Sequence, residues 1–212
     1  MAALMRLSKF IDWLNEKIGK NVAWLIVLAV VVSASNAIIR KIFNSSSNAW
    51  LEAQWLLFGA VFLLCAPWTL LHNEHIRIDI VNAKLPQSWK RGIEFVGHGL
   101  FTIPVCLVMI YTSWPFFLNS FLLNEQSSNA GGLPQWPAKF LILIGFVFLL
   151  AQAVSEFIKR IAVSKGLIED QLHGGGHHAA AEAEAARLLE VARLEAERVG
   201  LPLPTAEQSS KN

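Results

Sequence analysis

The residues of this chain best suited to chemistry stand at the edges of uncharged runs. In His75-Ile76-Arg77-Ile78-Asp79 polar and apolar residues alternate. An extended segment would then carry an imidazole, a guanidinium and a carboxylate on one side and three isoleucines, counting Ile80, on the other. One edge suits a membrane and the other a partner; plain punctuation between two helices is the simpler alternative. Arg40 and Glu52 flank a short turn and could pair across two helices or with another subunit's charges. An exposed pair contributes only about 0–1 kcal/mol, so two solvated end charges fit equally well. His72 and His98 raise a redox possibility, as axial ligands to haem in a membrane anchor. Neither lies well inside an apolar run, and histidines hydrogen-bonded at a membrane edge are the plain reading. His173, His177 and His178 surround a Gly174-Gly175-Gly176 linker, which gives a metal no supporting outer shell. Cys65 and Cys106 lie in apolar runs and read as small hydrophobes. A phosphate loop, a Ser-centred elbow, a Cys pair and convergent acids deep in an apolar run are all missing, so no enzyme is expected.

Apolar helices must position these groups. The chain has 212 residues, 54% hydrophobic and 16% charged, with eight Trp; an average soluble domain is about a quarter charged. The composition is that of an integral membrane protein. Between Glu52 and Glu74 there is no formal charge, and roughly 21 residues of helix measure about 31 Å, the thickness of a bilayer's hydrocarbon. The same reasoning places four spans at about 21–39, 50–71, 93–115 and 137–158. The uncharged run from Phe95 to Asn124 is too long for one straight span, so Pro104 is expected to kink it. Pro115 is expected to end it, leaving Phe116 to Leu123 along the membrane surface. The turn residues Asn44 to Asn48 are expected to cap the second span, with Glu52 in its first turn.

Residues 1–20 read as an amphipathic interfacial helix, because Leu4, Leu7, Ile11, Leu14 and Ile18 recur at helical spacing with Phe10 and Trp13 as anchors. A cleaved signal peptide ending near Ala37 is the rival reading, against which the long lead with Asp12 and Glu16 argues. Lys and Arg gather in the N-terminal segment, the 72–92 loop and the residues after the fourth span, so both termini are expected in the cytoplasm. Residues 166–212 form a cytoplasmic tail with a soluble helix at about 179–199, its Glu–Arg pairs three apart. The fold class is therefore all-α and membrane-embedded, with four spans, an interfacial N-terminal helix and a helical tail. Lipid is one partner; a net charge of +2 excludes a nucleic-acid role on electrostatic grounds.

At Glu52-Ala53-Gln54, Leu57-Phe58, Phe62, His75-Ile76-Arg77-Ile78-Asp79 and Leu85-Pro86, the sequence resembles the small four-span membrane subunit (Q type) of tripartite ATP-independent periplasmic (TRAP) transporters. The likeness runs over about residues 10–165. It implies an inner-membrane protein braced against a large multi-span permease subunit. That subunit takes an organic anion, such as a carboxylate, from a periplasmic binding protein in sodium-coupled uptake. It further implies that sodium and substrate sites belong to the large subunit, so no cofactor or metal is expected here. Glu52, His75, Arg77 and Asp79 would then be structural or intersubunit residues, as Arg40 would be if it pairs with another subunit. The helix after His173 departs from the family pattern. A haem-bearing anchor subunit of a respiratory enzyme is the alternative.

Overall fold

A computed structural model of the chain describes residues 2–44, 47–72, 92, 93 and 95–165, together with Arg187. The chain divides into two units, Met1–Asp170 and Gln171–Asn212. In the second, Arg187 is the one described residue, helical and exposed; the expected tail helix and the His173, His177 and His178 cluster otherwise lie outside the described residues.

The described residues of the first unit are mainly helical. Helix α1 (Ala2–Ala23) leads through Trp24 into α2 (Leu25–Phe43). Then come α3 (Asn48–Leu71), a π-helical segment (Gly97–Thr102), α4 (Ile103–Leu122) and α5 (Trp136–Ser164). Among the described residues, four stretches are long and apolar enough to cross a membrane: Ala3–Phe43, Asn48–Leu71, Gly99–Leu122 and Trp136–Ser164. Apolar length dictates this, since a helix alone satisfies its own backbone in hydrocarbon.

Helices α3 and α5 form the centre. They run in the same direction: Glu52, one turn later in α3 than the sequence suggested because the helix already starts at Asn48, bonds Leu133 just ahead of α5, and Leu63 lies against Gly145 farther along. A Cβ on Gly145 would come within 2.9 Å of the Leu63 Cβ, so a glycine is what lets the two backbones approach. Helix α1 packs on both near their C-terminal ends, α2 packs on α3, and α4 packs on α5. The contact faces are lined by small or polar residues. Ala29 and Asn36 are buried on α2, and Cys106, Ser113 and Ser120 on α4, each set seven residues apart. Large apolar side chains such as Phe62, Tyr111 and Leu123 face outward. A bilayer permits this inversion, because lipid is as apolar as leucine and packing, not dehydration, holds the helices together.

Two expectations change. Pro115 does not end its helix: α4 continues through it to Leu122, as proline inside a membrane helix can when neighbouring groups satisfy the freed backbone. Before Pro104 the chain is π-helical, with the Thr102 hydroxyl donating to the Gly97 carbonyl at 3.1 Å. The widened turn lies just ahead of the proline that removes a donor from the ladder. At the start of α3, Ser47 is extended and makes no side-chain capping bond. Asn44 instead closes α2 in the left-handed region, at φ 49°.

Candidate functional site

Two polar clusters hold the bundle, one at each end of the α3–α5 pair. The first is centred on Glu52, in the opening turns of α3. Its carboxylate accepts hydrogen bonds from the Ser127 hydroxyl, from the Asn129 amide at 2.9 Å and from the Leu133 backbone N–H at 2.6 Å. Asn48, one turn earlier, donates to the Ala130 carbonyl at 2.9 Å. The loop between α4 and α5 is thus folded onto the head of α3. Its own shape comes from Asn124 and Gly131 at positive φ and from the Ser127 N–H donating to the Leu133 carbonyl at 3.1 Å. Gly132 sits so close that a Cβ there would meet Glu52 Oε1 at 2.7 Å and Ser127 Cβ at 2.5 Å. Lys139, in the first turn of α5, pairs with Glu125 and lies 4.1 Å from the centre of the Phe116 ring. That pairing holds the Glu125 carboxyl below the ordinary range.

The second cluster joins α1 to α5. Ser8, Asp12 and Asn15 lie four and three residues apart on one face of α1; Gln152, Ser155, Glu156 and Lys159 share one face of α5. Asp12 Oδ1 accepts from Ser155 Oγ at 2.7 Å and from Gln152 Nε2 at 2.9 Å, and Oδ2 faces Lys159 Nζ at 3.2 Å. Gln152 also donates to Glu156 at 3.1 Å and accepts from Asn15 at 2.8 Å. Its amide orientation is thereby set, with both N–H groups and the oxygen engaged. The Ser8 and Ser155 hydroxyls are 2.7 Å apart; with the Ser155 proton on Asp12, Ser8 donates. Lys159 also pairs with Glu156. Ser8, Asn15, Gln152, Ser155 and Glu156 are buried, so these groups have one another in place of water. One turn beyond, Gly19 lies against α3. A Cβ there would stand 2.5 Å from Trp68 Cγ, and the Cys65 thiol points at the Gly19 carbonyl at 3.7 Å.

Among the residues singled out in the sequence, Glu52 is bound up in its own chain's loop. Arg40 is exposed at the end of α2, and no ion pair joins the two among the described residues. His72 follows α3, its N–H on the Trp68 carbonyl and its ring edge-on to the Trp68 indole at 5.6 Å. The side chain of His98 lies outside the described residues, as do His75, Arg77 and Asp79. Both cysteines are free thiols. The second cluster escaped the sequence reading, which placed every ionisable group at a membrane edge and gave α1 to the surface by its aliphatic residues. The signal was present in the matched spacing of polar residues at 8, 12 and 15 and at 152, 155, 156 and 159.

Among the described residues no three His, Cys, Asp or Glu side chains converge as metal ligands. The arrangement joins helices to each other. The model of one family, described as tripartite ATP-independent periplasmic transporters, DctQ component, matches residues 28–163, more than half of the chain. No curated protein matches the chain.

Proposed function

The chain belongs to the DctQ family of TRAP transporter components, and we propose that it acts as a rigid brace for the large permease subunit. Membership makes it a small, multi-pass permease subunit of such a system. The bracing role goes further. What supports it is that both ends of the central helix pair are tied: Glu52 binds the 127–133 loop at one end, and Asp12 joins Gln152, Ser155 and Lys159 at the other. A subunit with its central helices pinned at both ends makes a fixed frame against which another subunit moves. Its outward surface, with Trp55, Phe58 and Phe62 at helical spacing on α3, is apolar enough to meet lipid or a partner's helices.

In this reading the large subunit carries sodium and substrate, an organic carboxylate delivered by a periplasmic binding protein. Both termini of this chain are cytoplasmic, and it contributes no catalytic group. Arg77, Asp79 and His75 meet the partner at the membrane edge, and Arg40 lies at the opposite edge. The test is genetic. Deleting this chain from cells that keep the large subunit and the binding protein abolishes carboxylate uptake, and restoring it recovers uptake. Unchanged uptake after deletion contradicts the reading. The variant Arg77→Ala inserts normally but recovers less large subunit on copurification; wild-type recovery removes Arg77 from the interface.

A further inference from the structure

Helix α1 precedes the region matched by the family, residues 28–163, and its outer face is built unlike the rest of the bundle. Ser8, Asp12, Asn15 and Gly19 turn inward to α5 and α3. At about 100° per residue, Lys9, Lys20, Trp13, Arg6, Lys17 and Phe10 then fall within an arc of roughly 100° on the opposite side. All six are exposed. Phe10 and Trp13 stack with ring centroids 6.1 Å apart, and Lys17 lies 5.2 Å from the Trp13 ring centre. The acids of this region are engaged elsewhere. Asp12 is bound to α5, and Glu16 pairs with Lys20 at 2.7 Å. Among the described residues, Arg6, Lys9 and Lys17 have no acidic partner. Leu7, Leu14 and Ile18 occupy the sector between this face and the buried seam.

We propose that α1 binds anionic phospholipid headgroups through Arg6, Lys9 and Lys17, with Phe10 and Trp13 seated at the headgroup level. Cations interleaved with aromatics beside an aliphatic sector match the layered polarity of a bilayer surface. An acidic protein patch would leave the aliphatic sector unexplained. Because α1 is also tied to α5 through Asp12 and lies against Trp68 of α3, lipid bound on its outer face stabilises the whole bundle.

The experiment places the full chain in nanodiscs of phosphatidylcholine with increasing phosphatidylglycerol, counts the lipids retained on release by native mass spectrometry, and follows thermal unfolding. The wild type retains phosphatidylglycerol preferentially and unfolds at higher temperature as its fraction rises, and both effects fade with added salt. The combined Arg6→Gln, Lys9→Gln, Lys17→Gln variant loses the preference, by about fivefold for each cation removed. Salt dependence in the wild type carries the test if that variant fails to fold. A wild type with no preference, a salt-independent preference, or a variant that keeps it overturns the proposal. So does a variant that keeps its lipids but loses the large subunit, which would assign the face to a protein.

Discussion

Asp12 and Lys159 meet at 3.2 Å between the first and last helices of the bundle, 147 positions apart in sequence, and the aspartate's other oxygen takes Ser155 and Gln152. Replacing Asp12 by Ala removes the acceptor shared by Ser155, Gln152 and Lys159, which costs about 1–3 kcal/mol, toward the lower end because Lys159 keeps Glu156 and both Asp12 and Lys159 keep some solvent contact. Asp12→Asn retains a carbonyl oxygen for Ser155 and Gln152 but turns an NH2 donor toward Lys159, which then keeps only Glu156 as its anion. Thermal unfolding of the purified chain should therefore rank wild type above Asn above Ala; an Ala variant as stable as wild type removes this seam from the account.

Two helical glycines should respond with opposite sign. At Gly19 an added methyl meets Trp68 Cγ at 2.5 Å, whereas at Gly59 it meets nothing within 4 Å. Alanine is the better helix former by up to about 1 kcal/mol, so Gly59→Ala is neutral or stabilising. Gly19→Ala loses about 1–3 kcal/mol through overpacking. Adding Trp68→Leu to Gly19→Ala should recover part of that loss, because the two positions are in contact. Strict additivity of the two substitutions would show that the close approach is not the cause.

Removing the Glu52 carboxylate should loosen one loop and little else. The Leu133 N–H donates to Glu52 Oε2 at 2.6 Å, and without that acceptor the loop loses the bonds that fix it to α3. In Glu52→Ala, amide exchange across 127–133 should quicken, with α5 protected as before. Equal protection in the variant means that the loop holds its shape without the clamp.

The Glu125–Lys139 tie has a definite pH signature. Lys139 holds the Glu125 carboxyl below its ordinary range, so the folded form binds its proton less readily than the unfolded chain. The stability gained is present above the unfolded carboxylate range and is lost as pH falls through the lowered folded value. Amide protection at the 120–139 junction should fall on acidification in the wild type. Glu125→Gln should show no such step; an identical acid response in both assigns the effect to another group.

The spans were legible because apolar length is a direct physical requirement of the bilayer. Their contacts were less so. Glu52 was recognisable as an acid near a helix start, although the helix begins at Asn48 and puts it past the first turn; its partners Ser127 and Asn129 lie 75 and 77 residues downstream, beyond what local pattern carries. Helix α1 was read as interfacial from its aliphatic stripe, with no partner helix assigned. Its small and polar stripe is what meets other helices, through Ser8, Asp12, Asn15 and Gly19. Pro115 was weighted as a helix stop, which its place in a membrane helix weakens.

The central claim, that this chain is the fixed brace of a TRAP permease, is tested most directly by its company in the membrane. Gentle solubilisation of native membranes and capture through a tag on this chain should recover one large, many-span permease subunit at roughly one to one. Recovery should hold in Glu52→Ala, whose carboxylate serves its own loop. Recovery of a respiratory complex carrying a Soret band, or of no many-span partner at all, would contradict the account.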